Sequence, residues 1–335
     1  MSQAEATKDA VLDERRSFLE RVKGGPTWGG FFVRYGMVWA LIVLAILANF
    51  MFSGFFNPEN LSNLLYQVAA TGIVAVGMTF AIISGGFDLS VGAVLAGASC
   101  SYAWLSQTMP LWQAFALTVL MGIVAGIING LVVTKLKVNA FIATLATSSL
   151  YGGLTLLFTQ GAAVMTEADG FTTMGQGTWF GIWIQNYIVV GFILVFGFIL
   201  AKTPYGRSVY AVGGNLEAAR LAGMRIDVVR VSTYAITGLC AAVAGSLLSS
   251  MTGVGQSNIG LSVTLDSIAI VIIGGTSLMG GEGAMWRTVV GLLMWGTIGN
   301  VFASLALPEA TQSLLQGGIL LVAVALDSLA RTGRN

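Results

Sequence analysis

The chain has 335 residues, no histidine, and 16 basic against 15 acidic residues, for a net charge of +1. Hydrophobic residues make up 56% and charged residues 9%, against the roughly 25% that a water-soluble domain carries to cover itself. Water is therefore not its main solvent, the near-neutral balance gives nucleic acid no electrostatic footing, and the missing imidazole excludes histidine metal sites, Ser-His and Cys-His nucleophiles and HExxH proteases.

Residues 1–34 mix five acids (Glu5, Asp9, Asp13, Glu14, Glu20) with six bases and lack the charge-free apolar core of a signal peptide. They read as a cytoplasmic tail, either loosely ordered or carrying one weak helical stripe of Val11, Leu12, Phe18, Leu19 and Val22. From residue 35 the apolar runs are long and continuous rather than alternating with period two. A bilayer admits only helices or closed barrels, and a helix needs about 20 residues to cross. The fold class is therefore all-α and polytopic, with ten spans at 35–55, 62–83, 89–106, 111–133, 139–158, 187–201, 231–252, 265–280, 288–306 and 312–330. Pro58, Pro110, Pro204 and Pro308 fall at their edges. The membrane domain then covers 35–330, with a polar loop at 202–230 and a short C-terminal end at 331–335.

Charge sets the orientation. With the N-terminus inside, all 16 bases fall on the inner side, including Lys135, Lys137, Lys202, Arg207, Arg220, Arg225, Arg230 and Arg287. The outer loops hold only the acids Glu59, Glu167, Asp169 and Glu309. Lys/Arg asymmetry is the quantity that orients spans, so both termini are expected in the cytoplasm.

Forty-four glycines are nearly twice the roughly 7% background. Gly122, Gly126 and Gly130 clear one face of the fourth span, which suits close helix packing; a pore-lining face is the alternative. Cys100 and Cys240 sit in apolar runs and read as small packing residues. Gly85 and Gly86 break the second span, and Asp88 and Ser90 stand where the next helix begins. A charge at membrane depth costs about 2.5–3.5 kcal/mol on insertion scales, so Asp88 either caps that helix, lies on a translocation path, or does both. Gly274 and Gly275 repeat the break at an offset of 189 from Gly85 and Gly86, and matching broken helices point to a transport path. The topology puts both breaks on one side of the membrane. In the 202–230 loop, Asn215 can cap a helix from Leu216 to Ala222 that Gly223 ends, with Glu217 and Arg220 matched to its dipole. Its small face (Ala218, Ala219, Ala222) suits either a partner's groove or a plain connector.

Four segments together carry a resemblance: VGMTFAIISGGFDLSVGA at 76–93, VNAFIATLAT at 138–147, GRSVYAVGGNLEAARLAGM at 206–224 and LDSIAIVIIGGTSLMGGEG at 265–283. The chain resembles permease subunits of the ribose-type ABC sugar importers, within the wider branched-chain amino-acid and sugar permease group, over about residues 45–330. The resemblance implies a type II ABC importer-like permease fold in a bacterial inner membrane. It further implies a second permease copy (identical or a sister chain), a cytoplasmic ATPase that binds ATP, a periplasmic binding protein that delivers a monosaccharide or related small polar solute, and surrounding lipid. It also implies that Gly213, Gly214, Asn215, Leu216, Glu217, Ala218, Ala219, Arg220, Leu221, Ala222 and Gly223 match the coupling helix that docks into the ATPase.

No GxxxxGK[ST] run occurs in the sequence, so nucleotide chemistry is assigned to another chain. No cofactor, metal or catalytic residue is expected here. Translocation-path candidates are Gly85, Gly86, Asp88, Ser90, Asn139, Asp266, Gly274, Gly275 and Asn300, with Gln256 and Asn258 as further passing hydrogen-bond groups. The competing class is an ion-coupled secondary carrier, in which Asp88 or Asp266 would hold the ion.

Overall fold

The computed structural model describes residues 35–332. The tail 1–34, its apolar stripe and residues 333–335 lie outside the described residues.

The chain is mostly helical. Helix α1 is Gly36–Met51, α2 Pro58–Ile83, α3 Val91–Leu105, α4 Leu111–Lys135 and α5 Ala140–Thr159. A short α6 (Thr173–Gln176) precedes α7 (Ile184–Lys202); α8 (Pro204–Gly214) and α9 (Leu216–Leu221) precede α10 (Ile226–Thr252); α11 (Gly260–Ile273), α12 (Met285–Ser304) and α13 (Glu309–Thr332) complete the chain. Among the described residues, five helices, α2, α4, α5, α7 and α10, are long and apolar enough to cross a membrane.

Helices fall on each of the ten expected segments, with shifted edges. The largest shift is the eighth, expected at 265–280 but running Gly260–Ile273. It stops where Gly275 adopts a left-handed φ of +88°, a conformation that ends a helix and that glycine reaches without strain. The polar loop expected at 202–230 is itself largely helical: α8 fills its first half, because Thr203 caps it (Oγ1 accepts from Gly206 N, 3.1 Å) and Pro204 presets its first turn. α10 starts at Ile226, inside the expected loop.

α2 and α10 form the centre. α2 begins at Asn57, whose side chain accepts from Glu59 N, with Pro58 next; from Val68 to Ile83 every residue but Thr71 is buried. α10 is buried continuously from Cys240 to Leu247 and packs against α2, α3 and α4. The glycine face of α4 turns onto α10. A methyl at Gly126 would overlap the Tyr234 carbonyl oxygen, and one at Gly130 would come within 2.6 Å of Val231 Cα. The face serves close packing. Cys100 and Cys240 are free and buried, as packing residues.

One end of the bundle carries small strands. β1 (Val164–Met165) pairs antiparallel with β4 (Val254–Gly255), Val164 opposite Gly255. β2 (Thr178–Trp179) and β3 (Ile182–Trp183) form a hairpin whose turn residues Phe180 and Gly181 both have positive φ, the type I′ pattern that matches strand twist. Ser106 and Thr166 hydroxyls join this cap to the end of α3 at 2.8 Å. The opposite end carries α8, α9 and both glycine breaks.

Candidate functional site

At the opposite end, α9 is six residues held by its own termini. Asn215 Oδ1 accepts from Ala218 N at 2.9 Å, and Gly223 (φ +76°) turns the chain so that Met224 N–H reaches Ala219 O at 3.1 Å. So short a helix is unstable alone; what fixes it is Ala219, buried in the main core cluster. Sequence reasoning gave Ala218, Ala219 and Ala222 as one outward small face. The structure turns Ala219 inward, because the anchor must be a residue small enough to sit on the bundle, and leaves Ala218 and Ala222 exposed. The outward surface also carries Leu216, Glu217 and Arg220, and Leu221, which is 87% exposed. Glu217 and Arg220 pair at 3.5 Å across water-exposed side chains, a contact worth little for stability. Gly213 and Gly214 belong to the end of α8 rather than to α9.

The two breaks lie at the same end, as the topology requires. Gly281 N–H donates to Ile83 O at 2.8 Å, joining the loop after α11 to the end of α2. Their correspondence differs by one residue from the sequence offset. Gly85 N–H bonds Ile82 O and Gly86 N–H bonds Ala81 O; Gly275 N–H bonds Ile272 O and Thr276 N–H bonds Val271 O. With positive φ at Gly85 and Gly275, the geometric offset is 275 − 85 = 190, so Gly86 corresponds to Thr276. Identity matching favours 189 because it pairs two glycine doublets; the backbone needs only one left-handed residue per break.

Asp88 is 1% exposed and fully bonded. Oδ1 accepts from Ser90 N (3.0 Å), Ser90 Oγ (2.6 Å) and Asn129 Nδ2 (3.4 Å), while Oδ2 accepts from Thr237 Oγ1 (2.5 Å). Asn129 Nδ2 also donates to Ser90 Oγ at 2.6 Å, and the Tyr151 hydroxyl donates to Asn129 Oδ1 at 3.2 Å. The carboxylate thus steadies the approach to α3, bonding the amide of the N-cap residue Ser90, and ties that turn to α4 and α10. Sequence reading missed Asn129, Thr237 and Tyr151, which lie 41, 149 and 63 positions from Asp88; a polar residue inside the α4 glycine run was the one available hint.

An asparagine side chain at position 88 fits the same donors. Its amide can give a proton to Thr237 Oγ1, whose own proton then goes to Tyr234 O, 2.8 Å away. Asp88→Asn is therefore expected to melt in detergent close to the wild type. Asp88→Leu leaves several buried donors bare at roughly 1–3 kcal/mol each and is expected to melt well below it. Equal melting of the two variants would contradict this role.

The remaining candidates lie on other elements. Asn139 caps α5, accepting from Phe141 N at 2.9 Å. Asn300 exchanges hydrogen bonds with Asn60 (3.1 and 3.0 Å), joining α12 to α2. Gln256 offers its main-chain N–H to Ser99 Oγ, Asn258 is exposed, and Asp266 is half-buried on α11. A methyl at Gly274 would overlap the Arg287 carbonyl oxygen, and one at Gly275 would overlap Met37. A cavity of about 310 Å³ lies between α3, α4 and α5, with an apolar wall that includes Trp104, Met121, Leu154 and Phe158. Tyr151 lines it and also bonds the Asp88 group. In the 202–230 segment, burial pushes the Tyr210 phenol above its ordinary value, and the Arg287 cation partly opposes that. Among the described residues no group of three or more acidic or cysteine side chains is placed to hold a metal.

Residues 60–324 match the family described as branched-chain amino acid transport system / permease component. A ribose import permease protein of Haemophilus influenzae is 37% identical over 91% of this chain and 96% of its own length. A ribose import permease protein of Bacillus subtilis is 40% identical over 89% and 94%, and an L-arabinose transport system permease protein of Escherichia coli is 36% identical over 91% and 93%. No solved structure matches. With its long apolar helices, this is a multi-pass protein of the bacterial inner membrane. The chain belongs to the permease-component family of branched-chain amino acid transport systems, with sugar ABC importer permeases among its relatives.

Proposed function

We propose that this chain is the membrane-spanning subunit of an ATP-binding-cassette importer that carries a monosaccharide, most simply a pentose, from periplasm to cytoplasm. The observation that carries the reading is end-to-end likeness to relatives named as ribose and L-arabinose permeases. In this reading the helix-bearing segments cross ten times, both ends are cytoplasmic, and two permease chains pair in the lipid. The Lys/Arg segregation of the sequence supports that orientation. A periplasmic binding protein delivers the sugar, and a separate cytoplasmic ATPase supplies the energy. Gly213 to Gly223 is the docking segment, with α9 seated in the ATPase. Its exposed Leu216 and Leu221 and its Glu217/Arg220 pair offer apolar area and charge pattern to a partner. No deep sugar well is required along the path, since a strongly lined site would slow exit. The path candidates Gly85, Gly86, Asp88, Ser90, Asn139, Asp266, Gly274, Gly275 and Asn300 then act mainly by shaping and bracing the helices around the path.

Exchanging the charges of α9, Glu217→Arg with Arg220→Glu, keeps the pair within the helix but reverses what a partner meets. It is expected to weaken co-purification of the ATPase and sugar uptake about tenfold, as a mispaired interfacial charge does. Unchanged co-purification and uptake would contradict the docking assignment. An ion-coupled carrier would instead respond to a sodium or proton gradient with no ATPase present.

A further inference from the structure

We infer that the backbone junction at Gly213 is the positioning element that passes movement of α9 at once to the break at the end of α2 and to the loop that follows the break after α11; this rests on reading α9 as the ATPase-docking helix. Three chain segments meet there main chain to main chain. A methyl at Gly213 would overlap the Ile83 carbonyl oxygen and stand 2.8 Å from Gly281 N. A methyl at Gly280 would stand 2.9 Å from Gly85 Cα and 3.0 Å from Gly213 O. The Gly281 N–H to Ile83 O bond closes the group at 2.8 Å. Gly85, Gly280 and Gly281 all have positive φ, which side-chain-bearing residues rarely adopt. One turn earlier on α8, the Tyr210 hydroxyl donates to Gly283 O at 2.9 Å.

The consequence is mechanical. Asn215, the cap of α9, is two residues from Gly213, so at most about 7 Å of chain separates the docking helix from the junction. Flexible side chains can absorb a push by changing rotamer, whereas touching backbones cannot. Displacement of α9 therefore reaches the end of α2 and the loop after α11 together. The first carries the break at Gly85 and the second follows the break at Gly275, so the lever acts on both halves of the molecule through one contact.

A glycine of α7, outside the docking segment, supplies the control: a methyl at Gly191 meets nothing within 4 Å. The test is ATP hydrolysed per sugar taken up, in proteoliposomes holding the permease, its partner ATPase and its binding protein. Gly213→Ala is expected to keep the ATPase bound and hydrolysing but to raise that ratio at least about fivefold, the lower range of typical coupling energies; Gly191→Ala is expected to leave it near the wild type. A merely structural role would lower hydrolysis and uptake in parallel and leave the ratio fixed, and that result overturns the inference. If Gly213→Ala does not assemble, Tyr210→Phe decides: it preserves shape, removes the bond to Gly283 O, and must raise the ratio, whereas an unchanged ratio refutes the junction. Failure of the wild-type chain to bind any ATPase would overturn the docking reading itself, a result distinguishable from a bound but normally coupled Gly213→Ala.

Discussion

Leu221→Asp is expected to abolish stable association with the ATPase while leaving the permease folded. Leu221 is 87% exposed, so its own fold loses almost no burial on substitution. Buried in a partner's groove, a leucine is worth about 1.5–3 kcal/mol by area alone, and a carboxylate forced into the same place costs more. The change corresponds to well over tenfold in affinity. Co-purification from detergent, with thermal melting of the isolated permease as the companion measurement, separates the two effects. An ATPase retained at wild-type level on a Leu221→Asp chain would mean that α9 is not the docking surface.

Gly126→Leu has the opposite signature, a folding failure with no specific effect on the partner. At Gly126 even a methyl overlaps the Tyr234 carbonyl oxygen of α10, so a leucine can be placed only by separating α4 from α10. Overpacking ordinarily costs about 1–3 kcal/mol; separating two helices along a shared glycine face costs more, because the dispersion contacts on either side are lost with it. The expected result is loss of most of the monodisperse protein on size-exclusion chromatography. Gly152 on α5 is the comparison, since nothing lies within 4 Å of a methyl there; Gly152→Leu is expected to elute as the wild type does. If both variants behave alike, the α4–α10 contact does not hold the bundle together.

Both predictions show what the sequence can and cannot carry. The four-residue glycine spacing of α4, the cap at Asn215 and the stop at Gly223 are local signals, and each lies in the structure where its chemistry requires. The tight ends of α2 and α11 were also legible, because glycine doublets mark them; their pairing slipped by one residue because identity matching cannot see which glycine takes positive φ. α8 was missed, since its helical pattern sits in a polar stretch with two terminal glycines that reads as loop. Asp88 was recognised as unusual, but its partners come from α4 and α10 through contacts separated by 41 and 149 residues, which no local pattern encodes. The Asn60–Asn300 exchange, 240 residues apart, is illegible for the same reason. Ala219 shows a subtler limit: the two alanines of α9 and Ala222 at its end look alike in sequence, and only packing decides which one is the anchor.

In the proposed importer the chain conducts but does not energise. Purified alone into proteoliposomes, without ATPase, binding protein or ion gradient, it is expected to show no uphill accumulation of ribose or L-arabinose. With its partner ATPase, its binding protein and enclosed ATP added, it is expected to concentrate one such sugar inside vesicles oriented with the ATPase in the lumen. Accumulation against a gradient by the permease alone, or driven by sodium or protons with no nucleotide present, would rule out an importer powered by a separate ATPase.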